Sequence, residues 1–195
     1  MGFLRFAAWG IAVVYSTIPC LWLVVHPRAN RFGANKTPLP AVGLVWLLLW
    51  VAVGTLTWPW RHVLLYSTPW AWIPAAVFFA CGLGLYFLAT RRFTVDQVLG
   101  RSELHPHNHE QRLVTSGIRM HMRHPIYVGH FMELVAWSIG TGMAVLYAMT
   151  AFAVVTGLIM VRIEDRELEQ RFGEEYRRYR ETVPALVPRW NRRAN

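Results

Sequence analysis

Residues 127–161 read YVGHFMELVAWSIGTGMAVLYAMTAFAVVTGLIMV, a run of 35 residues with one acid, Glu133, and no Lys or Arg. As a single α-helix it would extend roughly 50 Å at 1.5 Å per residue, too long for a hydrocarbon core of about 30 Å. Gly140-Thr141-Gly142 sits near its middle, where glycine permits a sharp change of direction. The run therefore predicts a helical hairpin, with a short arm from about Pro125 to Ile139 and a long arm from about Met143 past Val161.

Upstream, three further stretches have the length and apolarity of spanning helices: Phe6–Val25, Leu39–Trp58 and Trp70–Ala89. Pro, Trp and Arg punctuate their ends, as in Trp58-Pro59-Trp60-Arg61, which is the chemistry of a lipid–water boundary. The first lacks the charged start and small-residue cleavage site of a signal peptide and is expected to stay in the mature protein. The chain is 54% hydrophobic and 16% charged, against about 25% charged in soluble domains. Residues 1–95 contain no Asp or Glu. This composition excludes an ordinary soluble globule, a disordered chain and a disulfide-stapled secreted domain. Cys20 and Cys81 each lie in an apolar run and read as small core hydrophobes. The fold class is thus an all-α integral membrane protein of about five transmembrane segments, the last two a hairpin, with a cytoplasmic connector and a C-terminal helix.

The basic residues orient it. Eighteen of twenty fall in the first loop, the third loop and the segment after the hairpin; only Arg5 and Arg61 lie on the other side. The positive-inside rule then places the N-terminus outside and the C-terminus in the cytoplasm. A net charge of +9 distributed in this way favours a membrane over nucleic acid, and no obligate protein partner is expected. Nineteen Arg against one Lys point to a GC-rich bacterial source, and so to an inner membrane. The organisation is a single membrane domain, 1–195. Residues 1–90 form a three-helix scaffold and 91–195 hold the polar chemistry.

Two segments carry that chemistry. Leu113-Val114-Thr115-Ser116-Gly117 leads through a turn to Arg123-His124-Pro125-Ile126-Tyr127-Val128-Gly129. Pro is tolerated in the first turn of the helix that starts there. Arg123 and His124 beside that helix start either bind an anionic or carboxylate group or anchor the helix end to headgroups. After the hairpin come Arg162, Glu164 and Asp165, then Phe172-Gly173-Glu174-Glu175-Tyr176 and Val183-Pro184. The carboxylates suit a cationic ligand such as a sulfonium or an ammonium. Alternatively, the run is a solvated face with pairs such as Glu167–Arg171. Glu133, an ionisable group inside the short arm, either serves a substrate or is a neutral group hydrogen-bonded within the bundle. His105, His107 and His109 alternate in a loop, a weak metal pattern, and no metal ligand set is assigned.

Taken together, the two segments resemble the isoprenylcysteine carboxyl methyltransferase and phospholipid methyltransferase superfamily of integral-membrane enzymes, over roughly residues 104–190. The resemblance implies S-adenosylmethionine as cofactor and a lipophilic or small membrane-permeable methyl acceptor. By position it implies cofactor contacts at Gln111, Arg112, Leu113, Val114, His124, Pro125, Ile126, Tyr127 and Glu164. The catalytic candidates are Glu133, Arg162 and Glu164. The chain carries Arg119 where the family usually has Tyr, and Met160 where its carboxyl methyltransferases place a substrate-binding Arg. A lipid amine or small neutral acceptor is therefore favoured over a prenylcysteine carboxylate. Two other readings are a membrane reductase of the sterol-reductase type using NADPH and a non-enzymatic metal- or haem-handling membrane protein.

Overall fold

The computed structural model describes residues 2–25, 39–91 and 112–189. They form six α-helices: α1 (Gly2–Val25), α2 (Leu39–Thr57), α3 (Trp72–Thr90), α4 (Pro125–Thr141), α5 (Ala144–Phe172) and α6 (Glu174–Thr182). Among the described residues there is no β-strand, only one isolated bridge between Leu64 and Met143. The protein is an all-α integral membrane protein. By length and composition, Gly2–Leu23, Ala41–Trp60, Pro69–Thr90 and Ala144–Phe172 are able to cross a bilayer.

The hairpin is present where the glycines stand. α4 ends at Thr141, Gly142 takes φ +67°, and α5 begins two residues later. A side chain at Gly142 would collide with the Tyr66 carbonyl oxygen, because the α2–α3 loop lies against this turn. Leu65 N–H donates to Gly142 O at 2.8 Å and Ala144 N–H to Val63 O at 3.0 Å. α4, at 17 residues, is about 25 Å long, whereas the 29 residues of α5 reach about 43 Å. The polar last turns of α5 therefore extend beyond its apolar part.

Helix packing sets the depth of everything else. α3 lies along α4, α1 packs on α5, α4 and α2, and α2 is peripheral. The α3 and α4 backbones touch at one point. A Cβ on Gly82 would sit 2.9 Å from Gly129 O, and one on Gly129 would sit 2.9 Å from Gly82 O. Small residues permit this approach where lipid and side chains are equally apolar. Pro19 lies inside α1, so the Tyr15 carbonyl four residues earlier loses its helical donor. His130 Nε2 of α4 supplies one at 2.9 Å, and its ring stacks on Tyr15 at 5.1 Å. At the basic end of the bundle, Ala89 at the end of α3 packs with Ile118 and Met122, with Leu85 and Ile126 around them. This cluster seats the connector against α3.

Candidate functional site

The connector enters extended at Ser116, turns at Gly117 (φ +68°) and makes one 3-10 turn, Gly117–Met120. His124 is the N-cap of α4 and Pro125 opens the helix. The strap after α6 lies alongside. Arg123 N–H donates to Pro184 O (2.9 Å), His124 N–H to Ala185 O (3.0 Å), and Arg189 N–H to His121 O (3.1 Å). Two chain segments some sixty residues apart thus satisfy each other's backbone at the helix start, as buried amides require. Tyr179 of α6 adds a hydroxyl donated to Arg119 O at 2.7 Å, and Arg119 Nη1 donates to Arg123 O at 2.7 Å.

Asp165 is the hub of the site. Arg123 grips it in bidentate fashion, Nη2 to Oδ2 at 2.7 Å and Nε to Oδ1 at 3.2 Å. His124 Nε2 lies 2.8 Å from Oδ1, and the Tyr176 hydroxyl donates to the same oxygen. Arg123, His124, Asp165 and Tyr176 are all buried. Arg123 Nη1 also reaches the carbonyls of Arg180 (3.1 Å) and Val183, so one guanidinium ties together the connector, α5 and the strap. Burial first, and then the Asp165 carboxylate, push the Tyr176 phenol well above its usual range, so it is a donor at neutral pH.

His124 sits between two carboxylates. Its Nδ1 faces Glu164 Oε2 at 3.6 Å, on the side opposite the Asp165 contact. Burial alone would lower its pKa; the Glu164 charge and the hydrogen bond to Asp165 outweigh burial and push it up to about 9. At neutral pH the ring is therefore an imidazolium, with Glu164 beside it as counter-charge. Both ring N–H groups are thus directed at carboxylates, and Glu164 is the more exposed member of the pair, the one placed to meet a cationic group.

The other expected residues are distributed as follows. Leu113, Val114, Ile126 and Tyr127 are half-buried, Pro125 is buried and Arg112 is exposed. Tyr127 lies edge-on to His124, ring centres 6.0 Å apart. Gln111 and the histidines at 105, 107 and 109 lie outside the described residues. Arg162 is exposed, two residues from Glu164 and so on a different side of α5. Met160, one turn before Glu164 on the same face, is fully buried. Glu133 is buried on the flank of α4 that meets α3 and α1, nine residues or about 13 Å of helix beyond His124. The structure thus brings His124 and Glu164 together and sets Glu133 and Arg162 apart from them. The charged run divides by face: the Glu169 and Glu174 pairs with Arg177, Arg178 and Arg180 form the outer side, while Glu167–Arg171 (2.7 Å) is half-buried. Sequence reasoning missed the roles of Asp165 and Tyr176, and the Pro19–His130 relation. A proline inside an apolar span was itself a signal, because its freed carbonyl needs a donor from a neighbouring helix.

Membrane-length helices that hold a buried charged cluster at their basic end define a polytopic helical membrane protein with a site at the membrane boundary. Residues 70–175 match the family described as phospholipid methyltransferase, and the chain belongs to that family. It is similar to a protein-S-isoprenylcysteine O-methyltransferase of Schizosaccharomyces pombe, 30% identical over 119 residues, 58% of this chain and 48% of that protein. It is also similar to protein-S-isoprenylcysteine O-methyltransferase B of Arabidopsis thaliana, 36% identical over 105 residues (51% and 48%). With methanethiol S-methyltransferase 1 of Bradyrhizobium diazoefficiens it shares 35% identity over 71 residues (36% and 24%). The chain spans about half the length of the first two relatives and a quarter of the third. No solved structure matches it.

Proposed function

We propose that the protein transfers a methyl group from S-adenosylmethionine to a lipophilic or small membrane-permeable acceptor. The observation that carries this reading is the His124–Glu164 pair, 3.6 Å apart at the start of α4, with His124 locked in place by Asp165. Glu164, the more exposed of the two, would take the donor's ammonium, and His124 would hold that carboxylate in place. Leu113, Val114, Pro125, Ile126 and Tyr127 would line the rest of the donor site, together with Gln111 and Arg112. The cofactor supplies an electrophilic methyl on a sulfonium. The residues of this chain have only to align the acceptor with it and exclude water. The family match and the methyltransferase relatives support the same reading.

Met160 puts a buried apolar side chain, and no cation, at the position where a carboxylate acceptor would need one. An unpaired buried carboxylate costs several kcal/mol, so a lipid amine or small neutral acceptor is favoured over a prenylcysteine carboxylate. The whole forms one membrane domain, with residues 1–90 as scaffold and 91–195 as the donor-binding and catalytic region. Five segments cross an inner membrane of bacterial type, with the C-terminus cytoplasmic and the N-terminus outside.

The experiment pairs thermal unfolding with product analysis. S-adenosylhomocysteine should raise the Tm of the purified protein while NADPH leaves it unchanged, since a ligand stabilises the state it binds. His124→Ala and Glu164→Ala should each abolish that rise, and exposed Arg178→Ala should not. A membrane extract incubated with isotopically labelled donor, then analysed by mass spectrometry, identifies the acceptor. A Tm rise with NADPH alone would overturn the proposal. Efficient methyl-ester formation on a farnesylcysteine analogue, beside no reaction with an aminophospholipid, would overturn the acceptor preference.

A further inference from the structure

The end of the bundle opposite the His124–Glu164 site has its own charge pattern. Arg5 near the start of α1 and Arg61 after α2 stand there, and neither residues 1–95 nor residues 134–163 contain an acid to pair with them. The two guanidinium groups are used differently. Arg61 lies over the Trp58 ring, 3.5 Å from its centre, and donates to Trp58 O at 2.6 Å. Arg5 Nη2 donates to Ser67 Oγ at 2.8 Å, and among the described residues no carboxylate pairs with it. Arg5 and Ser67 line a pocket of about 30 Å³ together with Thr68, Trp72 and Thr141, room for about two water-sized atoms. Ser67 accepts from Arg5 and keeps its own O–H to donate, and the Thr68 hydroxyl makes no capping bond to the helix it precedes. A guanidinium with two hydroxyls and no counter-charge is a donor set for the oxygens of an anion.

A second feature shares a wall with it. Trp72 also lines a groove of about 200 Å³ with Ala75, Ala76, Phe79, Ala136 and Trp137, and every lining side chain is aliphatic or aromatic. Ala76 is exposed, so the groove is open on that side. From Trp72 to Phe79 it follows α3 inward for seven residues, about 10 Å. Such a surface excludes water, and in a bilayer it is filled by hydrocarbon. Phe3, Trp58, Trp60 and Trp70, all exposed at this end of the bundle, mark the headgroup level. The polar pocket thus stands at the membrane boundary and the groove runs from beside it into the apolar layer, as a phosphate and its acyl chain are arranged in a lipid.

We propose that Arg5, Ser67 and Thr68 hold the phosphate of one anionic phospholipid, with an acyl chain of that lipid lying over Trp72 in the groove between α3 and α4. Phosphate oxygens accept from the guanidinium, which suits phosphate geometry, and from the two hydroxyls. The charge pattern selects the headgroup: this end offers no carboxylate to an ammonium, so a lipid with net negative charge is favoured over a zwitterionic one. The lipid is not the methyl acceptor. The 17 residues of α4 put about 25 Å between this pocket and His124, far beyond the reach of group transfer. It instead ties the start of α1 to the α2–α3 loop and fills the gap between α3 and α4, and its binding does not depend on the proposed methyl transfer.

The test uses the full chain in phosphatidylcholine nanodiscs that hold a small fraction of phosphatidylglycerol with a diazirine midway along one acyl chain. Photolabelling should map to Trp72–Phe79 or Ala136–Trp137, and unlabelled phosphatidylglycerol should compete it away. A phosphatidylcholine probe with the same diazirine chain should label these residues about tenfold less, and Arg5→Gln should lower labelling by the phosphatidylglycerol probe about tenfold, as the loss of a charge-assisted contact implies. Arg61→Gln, which removes an equal charge at the same end but outside the pocket, should leave labelling unchanged. Ala76→Phe, which fills the open side of the groove with Arg5 intact, should lower it. Equal labelling by the two probes, labelling confined to the basic end, an equal loss in Arg61→Gln, or undiminished labelling of Arg5→Gln or Ala76→Phe would overturn the proposal. Suppression by inorganic phosphate in the buffer would show a free-phosphate site and overturn the lipid assignment. The probe comparison and the mapping use only the wild-type protein, so they decide the matter even if a variant folds poorly.

Discussion

Arg123 and Asp165, 42 positions apart, form a bidentate ion pair whose side chains are 8% and 7% exposed. The pair joins the start of α4 to the end of α5, and both partners have further hydrogen bonds: two carbonyls on the guanidinium, His124 and Tyr176 on the carboxylate. A buried pair of this kind is strongly destabilising to break, because the surviving charge loses its counter-charge.

Asp165→Asn should therefore destabilise the protein by about 3 to 5 kcal/mol, the range for removing one partner of a buried pair. Tyr176→Phe removes one neutral donor and should cost about 1 to 3 kcal/mol. Thermal or denaturant unfolding in a fixed detergent ranks the two. A Tyr176→Phe effect larger than that of Asp165→Asn would show that the hub is the phenol rather than the ion pair.

The His124 charge gives a pH dependence with a definite sign. Its folded pKa of about 9 lies above the ordinary value of 6.5, so the folded protein holds a proton more tightly than the unfolded chain. The stabilisation is complete below about pH 6.5, declines as pH rises, and is gone above about pH 9, amounting to about 3 kcal/mol over the window. Plotting Tm from pH 6 to 10 for wild type and His124→Gln should give a falling difference between the two curves. Parallel curves would contradict the assignment.

Pro19 and His130 should be energetically coupled. His130→Ala leaves the Tyr15 carbonyl without its donor and should cost about 1 to 3 kcal/mol for an unsatisfied buried group. Pro19→Ala restores a backbone N–H that can reach the same carbonyl. The double variant should accordingly lose less than the sum of the single losses, a gap of at least about 1 kcal/mol in a double-mutant cycle. Strict additivity would mean that the carbonyl is satisfied in some other way.

Orientation is tested at α6. A cysteine at exposed Glu181 should resist a membrane-impermeant maleimide in intact cells and react in inverted vesicles. Labelling in intact cells would reverse the topology.

Much of this was legible in the chain. The apolar runs mark the membrane helices because an unpaired backbone group is prohibitive in lipid, so any run of that length must close its hydrogen bonds within a helix. Gly140-Thr141-Gly142 marked the hairpin because the run was too long for one crossing, and the helices break within two residues of it. The motifs also put His124 and Glu164 in one site, and their side chains lie 3.6 Å apart. What the sequence left open was rotation about the helix axes. Glu164 and Asp165 are neighbours about 100° apart on α5, and local pattern does not say which one enters the Arg123–Tyr176 pocket. Along its apolar part α5 meets lipid on one side and protein on the other, both apolar, so hydrophobic periodicity carries little information about facing. Contact decides it: Gly157 of α5 lies against the Phe131 ring of α4, where a Cβ would collide, and seven residues on, along the same face, Glu164 comes beside His124, while Asp165 turns to Arg123 and Tyr176. Likewise Glu133 was visible as a charge in the membrane. Its place beside Tyr15 and Tyr86 exists only because α1 and α3 both pack on α4, α3 through the Gly82–Gly129 contact.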